Sequence, residues 1–214
     1  MSRRSPVILT LFRFGFAAAI ATAMVVQWVS SSSKGPFSPV NFFSYFTIQS
    51  NIIAAVVLFY MVLRPANESV AFARIRGAAT LYMATTGIVY ALLLSGNPAA
   101  VAITLPWVNA VLHQLMPVYM VADWIASPPR HRLGFRESLL FLIYPIVWLV
   151  YTLPRGAITG WYPYPFLNPA KAGGALGVTA YVVAITFGIV LIAQGVRGLQ
   201  AYRNRNSASP ATRT

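Results

Sequence analysis

Long apolar stretches separated by short polar loops dominate the pattern of this chain. A bilayer core about 30 Å thick needs roughly 20 apolar residues per helix, and six stretches approach that length. They lie at about Val7–Val29, Val40–Leu63, Gly77–Ser95, Trp107–Ala126, Ser138–Leu153 and Gly174–Gly195. The pattern predicts an all-α, polytopic membrane bundle of six transmembrane helices in one domain over residues 1–196. A basic, disordered cytoplasmic tail is expected over residues 197–214.

The first apolar stretch also has features of a cleavable signal peptide. Arg3 and Arg4 precede it, and small residues follow near its end. However, Arg13 interrupts the apolar core that a signal peptide needs, and the stretch continues through Trp28. We therefore interpret it as the first membrane span.

Basic residues alternate from loop to loop in a way that predicts the orientation of the bundle. Cytoplasmic segments of membrane proteins are enriched in lysine and arginine. Twelve of the 16 lysines and arginines fall at the N-terminus, in the second and fourth loops and in the tail. Only Lys34, Arg155 and Lys171 fall in the other loops, and Arg13 lies inside the first span. The alternation predicts that both termini are cytoplasmic.

Composition and charge limit the classes of partner that this chain can bind. The chain is 57% hydrophobic and 9% charged, and its formal net charge is +13. Because the cations lie between apolar stretches rather than on one polar surface, we expect no nucleic-acid partner. The partner that the composition itself indicates is the lipid bilayer.

Two of the predicted spans carry polar side chains that must be accounted for inside a membrane. Such groups are costly in lipid and usually face the bundle interior, where they mark functional sites. The candidates are Ser44, Thr47 and Asn51 in the second span and Asn109, His113 and Gln114 in the fourth. Pro117 follows His113 by four residues and removes the partner of its backbone carbonyl, so a bend is expected there.

Thr47 and His113 are predicted to lie at one depth. Both spans enter from the outer side, and at 1.5 Å per residue each residue is about 10 Å below that end. A hydroxyl beside a neutral imidazole is the minimum for a nucleophile with a general base. Threonine in a membrane helix also commonly bonds its own backbone, so a purely structural role for Thr47 remains open.

Several chemistries are excluded by counting residues. The chain has no cysteine and two histidines, and the second, His131, lies in a predicted cytoplasmic loop. We therefore expect no haem, no metal site and no other cofactor. The three carboxylates all lie at or near the cytoplasmic side, which excludes a catalytic triad, and Asp123 is expected to form a structural ion pair with Arg13.

The fifth loop is rich in aromatic residues and prolines. Trp161, Tyr164 and Phe166 fit an anchoring belt, because aromatic rings prefer the membrane interface. They also fit a lid that folds over the open end of the bundle. The sequence leaves both interpretations open.

Three stretches resemble a known group in their residues and spacing. They are Phe43–Asn51 (FSYFTIQSN), Asn109–Pro117 (NAVLHQLMP) and Gly160–Leu167 (GWYPYPFL). The chain is similar to the bacterial six-helix membrane proteins labelled Pr6Pr, and more distantly to the eukaryotic androgen-induced-gene and androgen-dependent TFPI-regulating proteins. This resemblance implies a bacterial inner-membrane protein. It also implies a hydrolase of fatty acid esters whose catalytic threonine and histidine correspond to Thr47 and His113.

Two functions from different classes follow. The first is an integral membrane hydrolase of lipid or fatty-acid esters, in which Thr47 attacks, His113 takes the proton and Asn51 stabilises the oxyanion. Ser44, Asn109 and Gln114 would support this dyad. The alternative is a non-enzymatic membrane protein that binds a lipid, a small apolar ligand or a partner protein. A transporter is a weaker third option, since inverted repeats are not seen in the sequence.

Overall fold

The structure, a computed structural model, describes residues 7–65, 69–101 and 103–207. Arg3, Arg4, Glu68 and Arg213 lie outside the described residues, as do residues 208–214 of the predicted tail and the side chain of Arg205. The described α-helices are α1 (Val7–Ser32), α2 (Pro39–Ser44), α3 (Phe46–Leu63), α4 (Val70–Val89), α5 (Pro98–Val101), α6 (Pro106–Ala110), α7 (Met116–Ala126), α8 (Phe135–Leu139), α9 (Ile143–Thr159), α10 (Pro169–Ala172) and α11 (Gly174–Ser207). No strand occurs within the described ranges.

Five helical stretches are long and apolar enough to cross a membrane. They are Val7–Ser32, Phe46–Leu63, Val70–Leu94, Phe135–Thr159 and Gly174–Arg203. These stretches confirm the expected all-α fold and indicate a multi-pass membrane protein. Each one overlaps a span predicted from the hydrophobic pattern, although most of the boundaries differ.

The predicted fourth span is helical from Pro106 to Ala126 but is not one uniform α-helix. A π turn, Val111–Leu115, joins α6 to α7. At its end the Met116 N–H donates to the Val111 carbonyl, five residues back rather than four. Pro117 follows directly, and the bend expected from this proline therefore takes the form of a wider turn.

The prediction that the second span is a single helix is wrong, because the helix is interrupted at Tyr45. Its backbone is extended (φ −68°, ψ 127°) and separates α2 from α3. The break is stabilised from outside the segment: the Trp148 indole N–H donates to the Ser44 carbonyl at 3.0 Å. Thr47, expected in mid-helix, is therefore the second residue of α3.

The boundaries of the third and fifth spans also need correction. The third helix begins at Val70 rather than Gly77, so Arg74 and Arg76 are helical residues rather than loop residues. The fifth stretch runs from Phe135 to Thr159, which places Arg155 in the last turns of α9. Gly160 ends α9 in the left-handed region, at φ 70°.

The expected disorder after Arg197 is wrong as far as Ser207, where α11 ends. The Gln200 side chain holds this extension against the fourth loop. It donates to the Pro129 carbonyl and accepts from the Leu133 N–H. The extension is stabilised by these tertiary contacts, which a polar composition does not reveal.

Two apolar clusters form the interior of the bundle. One joins α1, α3 and the α6–α7 segment, and includes Ile20, Ile48 and Leu112. The other joins α4, α9, α11 and the fifth loop, and includes Phe46 and Phe166. Since Phe46 belongs to one cluster and Ile48 to the other, Thr47 lies at the seam between them.

Candidate functional site

Thr47 and His113 are hydrogen-bonded side chains on neighbouring helical segments. The Oγ1 atom of Thr47 lies 3.1 Å from Nε2 of His113. The proximity predicted from their equal depth is thus confirmed. Thr47 is 5% exposed, and His113 is half-buried.

The helix break at Tyr45 decides what surrounds Thr47. The first N–H groups of an α-helix have no partner inside the helix. As the second residue of α3, Thr47 presents such an N–H, which donates to the Tyr164 hydroxyl oxygen at 3.1 Å. The same end of the helix carries the positive end of its dipole. The hydroxyl of Thr47 therefore lies where negative charge is favoured.

The Tyr164 hydroxyl is a second close neighbour of the threonine oxygen, 3.2 Å from Oγ1. The fixed direction of the Thr47 N–H bond and the Nδ1 tautomer of His113 let us assign one consistent set of donors in the cluster. The Thr47 N–H donates to Tyr164, the Tyr164 hydroxyl donates to Oγ1, and the Thr47 hydroxyl donates to Nε2 of His113. Each oxygen thereby uses its single proton once.

The imidazole of His113 is held by stacking and by the turn before it. Its ring stacks on Tyr90, with centroids 4.5 Å apart and planes at 24°. The other ring nitrogen, Nδ1, is buried and lies near the Asn109 backbone carbonyl. The two do not form a hydrogen bond of good geometry. Because a carbonyl can only accept, we assign the ring proton to Nδ1, which leaves Nε2 as the acceptor.

Tyr90 lies at the start of a second π turn, Tyr90–Leu94, which ends α4. The Ser95 N–H donates to the Tyr90 carbonyl five residues back. The Asn109 amide donates to the Tyr90 hydroxyl. Asn109 thus acts on His113 through Tyr90, and two π turns meet at the imidazole. Such turns are frequent at functional sites.

Asn51 does not fill the role expected of it. Its amide donates to the Thr47 carbonyl at 2.9 Å and to the Leu112 carbonyl at 3.2 Å. Both amide hydrogens are therefore used, and none is left for an oxyanion. The Leu112 carbonyl is available because the π turn shifts the hydrogen bonding by one residue and Pro117 has no N–H to offer it.

Two other expected supporting residues lie away from the dyad. Gln114 is exposed and does not orient His113. Ser44 is buried, donates to the Val40 carbonyl and lies 3.3 Å from the Tyr151 hydroxyl. Ser44 therefore joins α2 to α9 and does not support the chemistry directly.

The aromatic side chains of the fifth loop pack against the bundle. Tyr164 and Phe166 are both 8% exposed and stack with their rings nearly parallel. Trp161 is half-buried and packs edge-on against Tyr45. Gly156 permits this fold, since a Cβ there would lie 2.1 Å from the Tyr162 ring.

A cavity of about 590 Å³, the vestibule, opens beside the dyad. Its lining includes Thr47, His113 and Trp161 together with Lys34 and Lys171. No carboxylate belongs to this lining in the part of the chain that the structure describes. The vestibule is therefore a polar, positively charged approach to the threonine hydroxyl.

A smaller cavity of about 90 Å³, the groove, is lined in part by the same threonine. It lies between α4, α9 and α11, and its walls are mostly apolar, including Phe46, Leu149, Phe166 and Ile185. Thr47, Leu94 and Tyr164 line both cavities. A ligand with an apolar and a polar end can therefore place the junction between them at Thr47.

The expected ion pair of Arg13 with Asp123 is present, at 2.7 Å between Nε and Oδ1. Sequence reasoning missed the third member, because Arg76 was assigned to a loop. Arg76 Nη2 lies 2.7 Å from Oδ2 of Asp123, and Arg76 Nη1 also donates to the Ser127 carbonyl. All three charged side chains are buried.

Sequence reasoning also missed Tyr90 and underestimated Tyr164, which was named only as part of a lid. The chain has 11 tyrosines, so the presence of a tyrosine at one position gives no signal of a special role. The prolines on either side of Tyr164 were the available hint, because they restrict the backbone and fix where the ring points.

Comparison of the chain with protein-family models, with curated proteins and with solved structures finds no match.

Proposed function

We propose that this protein is an integral membrane hydrolase of lipid or fatty-acid esters that uses Thr47 as nucleophile and His113 as general base. One observation carries the proposal: the 3.1 Å contact of Thr47 Oγ1 with His113 Nε2 lies where a polar and an apolar cavity meet. The similarity of three sequence stretches to the Pr6Pr group and its eukaryotic relatives supports the same assignment.

The reaction proceeds through an acyl-enzyme. Thr47 Oγ bonds to the acyl carbon, its proton passes to Nε2 of His113, and the carbonyl electrons move to oxygen. The tetrahedral intermediate collapses as the bond to the alcohol oxygen breaks, and His113 returns the proton to that alcohol. Water then attacks the acyl-threonine with His113 again as base. The products are a carboxylic acid, an alcohol and the regenerated threonine.

The two cavities suggest how the substrate lies. The first carbons of the acyl chain occupy the groove, whose walls are apolar, and the polar part of the ester occupies the vestibule. The groove lies between α9 and α11, which lack extended mutual backbone contact and so allow entry from lipid. The alcohol leaves through the vestibule, which is the wetter side.

The proposal includes six spans with both termini in the cytoplasm of a bacterial inner membrane. The stretch Pro106–Ala126 supports the sixth span, because at 1.5 Å per residue it is about 30 Å long. The alternation of basic residues supports the orientation. The dyad then lies in the outer-leaflet half of the bundle.

The direct test is labelling of isolated membranes with a fluorophosphonate probe, which phosphonylates activated hydroxyl nucleophiles. We expect wild-type protein to label and Thr47→Ala to remain unlabelled. Thr179→Ala is the matched control, since Thr179 is exposed on α11 and bonds its own helix at Ala175. That variant should label as the wild type does.

Equal labelling of wild type and Thr47→Ala contradicts the nucleophile assignment. Absence of both labelling and ester hydrolysis in the folded wild type contradicts the enzyme and favours the non-enzymatic alternative. Protein folding is checked in each case by size-exclusion chromatography and thermal unfolding in detergent.

A further inference from the structure

An oxyanion-stabilising group is missing from the dyad once Asn51 is excluded. Acyl transfer builds negative charge on the carbonyl oxygen, and a donor aimed at that oxygen is commonly the largest single contribution to the rate. The amide of Asn51 is fully used by two backbone carbonyls. Another donor within reach of Thr47 Oγ1 is therefore required by the reaction.

We propose that the Tyr164 hydroxyl is a third catalytic group, which donates to the oxyanion formed on attack by Thr47. This inference rests on the proposed function. In the resting site the hydroxyl lies 3.2 Å from Oγ1. The oxyanion is bonded to the same carbon as Oγ in the intermediate, so a donor near one oxygen is close to the other.

The proton of Tyr164 becomes available at the moment it is needed. Before attack it is donated to Oγ1 of Thr47. When Oγ bonds to the acyl carbon and its proton passes to His113, it becomes an ether-type oxygen and a weaker acceptor, while the neighbouring oxygen becomes an anion. The hydroxyl turns about its C–O bond toward that oxygen, and no movement of the ring is needed.

The ring of Tyr164 is held in place on several sides. It stacks on Phe166 with centroids 5.2 Å apart, meets Tyr45 edge-on and lies beside Trp148. Its oxygen also accepts the N–H of Thr47, so its position relative to α3 is fixed. A donor held in this way costs no reorganisation during the reaction.

The environment keeps Tyr164 protonated. Burial raises the pKa of the Tyr164 hydroxyl to about 12, and its hydrogen bonds with the side chain and the N–H of Thr47 partly oppose this rise. The hydroxyl is therefore a donor throughout the neutral range. The first turn of α3 adds the field of its helix dipole to the same region.

The test is Tyr164→Phe, which keeps the ring and its stacking but removes the donor. We expect kcat for a p-nitrophenyl acyl ester to fall about 10²- to 10³-fold, with KM and the melting temperature near those of wild type. Tyr181→Phe is the matched control, because Tyr181 also packs against Phe166 but belongs to the lining of neither cavity. It should retain the wild-type kcat.

A second variant keeps the test decisive if Tyr164→Phe folds poorly. Replacement of Tyr164 by 3-fluorotyrosine preserves the hydroxyl and makes it more acidic. We expect nearly full kcat at neutral pH, with the alkaline loss of activity displaced to lower pH, because the phenolate cannot donate. If Tyr164 had only a structural role, the alkaline limb of the pH–activity profile would stay at the same pH.

The outcomes separate the two proposals. If wild type is active and Tyr164→Phe keeps kcat within a few-fold, or if the fluorotyrosine leaves the alkaline limb unmoved, the role of Tyr164 is wrong and the dyad stands. If the folded wild type hydrolyses no ester and does not label, the proposed function is wrong and the role of Tyr164 falls with it.

Discussion

Two buried polar networks at opposite ends of the bundle use polarity in different ways. Near one end, Asp123 bonds both Arg13 and Arg76, and these charged side chains are almost fully enclosed. Near the other, Thr47 and His113 are neutral and border two cavities. The first network joins α1, α4 and α7, whereas the second leaves reactive atoms accessible.

The difference shows why burial of polar groups alone does not identify a site. A buried charge must be paired, so the carboxylate of Asp123 is committed to its arginines. Burying a hydroxyl or a neutral imidazole costs less free energy than burying a charge, so these groups can change hydrogen-bond partners. Function is therefore expected where the buried groups are neutral, next to space and at irregular backbone, as they are at Tyr45 and at both π turns.

The largest expected effect is loss of activity at the neutral network. His113→Ala removes the base, and we expect kcat for ester hydrolysis to fall about 10²- to 10⁴-fold. The melting temperature should change little, since the ring is half-buried and the cavity already adjoins it. A large loss of stability with no activity to lose in wild type would favour the non-enzymatic alternative.

The complementary change at the charged network should affect stability instead. Asp123→Ala leaves two buried guanidinium groups without their carboxylate, and breaking a buried pair costs about 3–5 kcal/mol. Thermal unfolding in detergent measures this loss. Arg74→Ala is the control, because its salt bridge with Glu137 is partly exposed and contributes about 0–1 kcal/mol. Activity per folded molecule should be retained in both variants, and its selective loss in Asp123→Ala would contradict the comparison.

An intermediate effect is expected where the scaffold supports His113. In Gly87→Ala the new Cβ would lie 2.7 Å from Cβ of Pro117, and the His113 carbonyl is 3.5 Å away. Overpacking of this kind costs about 1–3 kcal/mol, and we expect a measurable fall in kcat as α4 moves from the π turn. In Gly188→Ala nothing lies within 4 Å of the added carbon, so neither the free energy of unfolding nor kcat should fall. Equal behaviour of the two variants would show that the close approach is unimportant.

The smallest effect concerns the charge of the vestibule. Lys34 and Lys171 are exposed on its lining. Replacing both by glutamine should raise KM a few-fold for esters with an anionic polar end and leave neutral esters unchanged. The difference should vanish at high salt, because exposed charges are screened. An equal change for neutral esters would indicate altered packing rather than lost attraction.

Much of this arrangement was predictable because a membrane restricts the possibilities. Apolar length identified the helical stretches, depth brought Thr47 and His113 together, and position along the helices paired Arg13 with Asp123. The break at Tyr45 was not predictable. Neither glycine nor proline occupies that position, and its partners Trp148 and Tyr164 come from more than 100 residues further along the chain.

The sequence by itself determined the set of long helices and which polar residue types lie at each depth along them. These follow from the cost of placing polar backbone and charge in lipid, which acts on every segment separately. Only the tertiary structure decided which donor meets which acceptor. It assigned Asn51 to a carbonyl freed by a π turn, Arg76 to Asp123 and Tyr164 to Thr47. Those pairings depend on ångström-scale packing between distant segments, which no local pattern encodes.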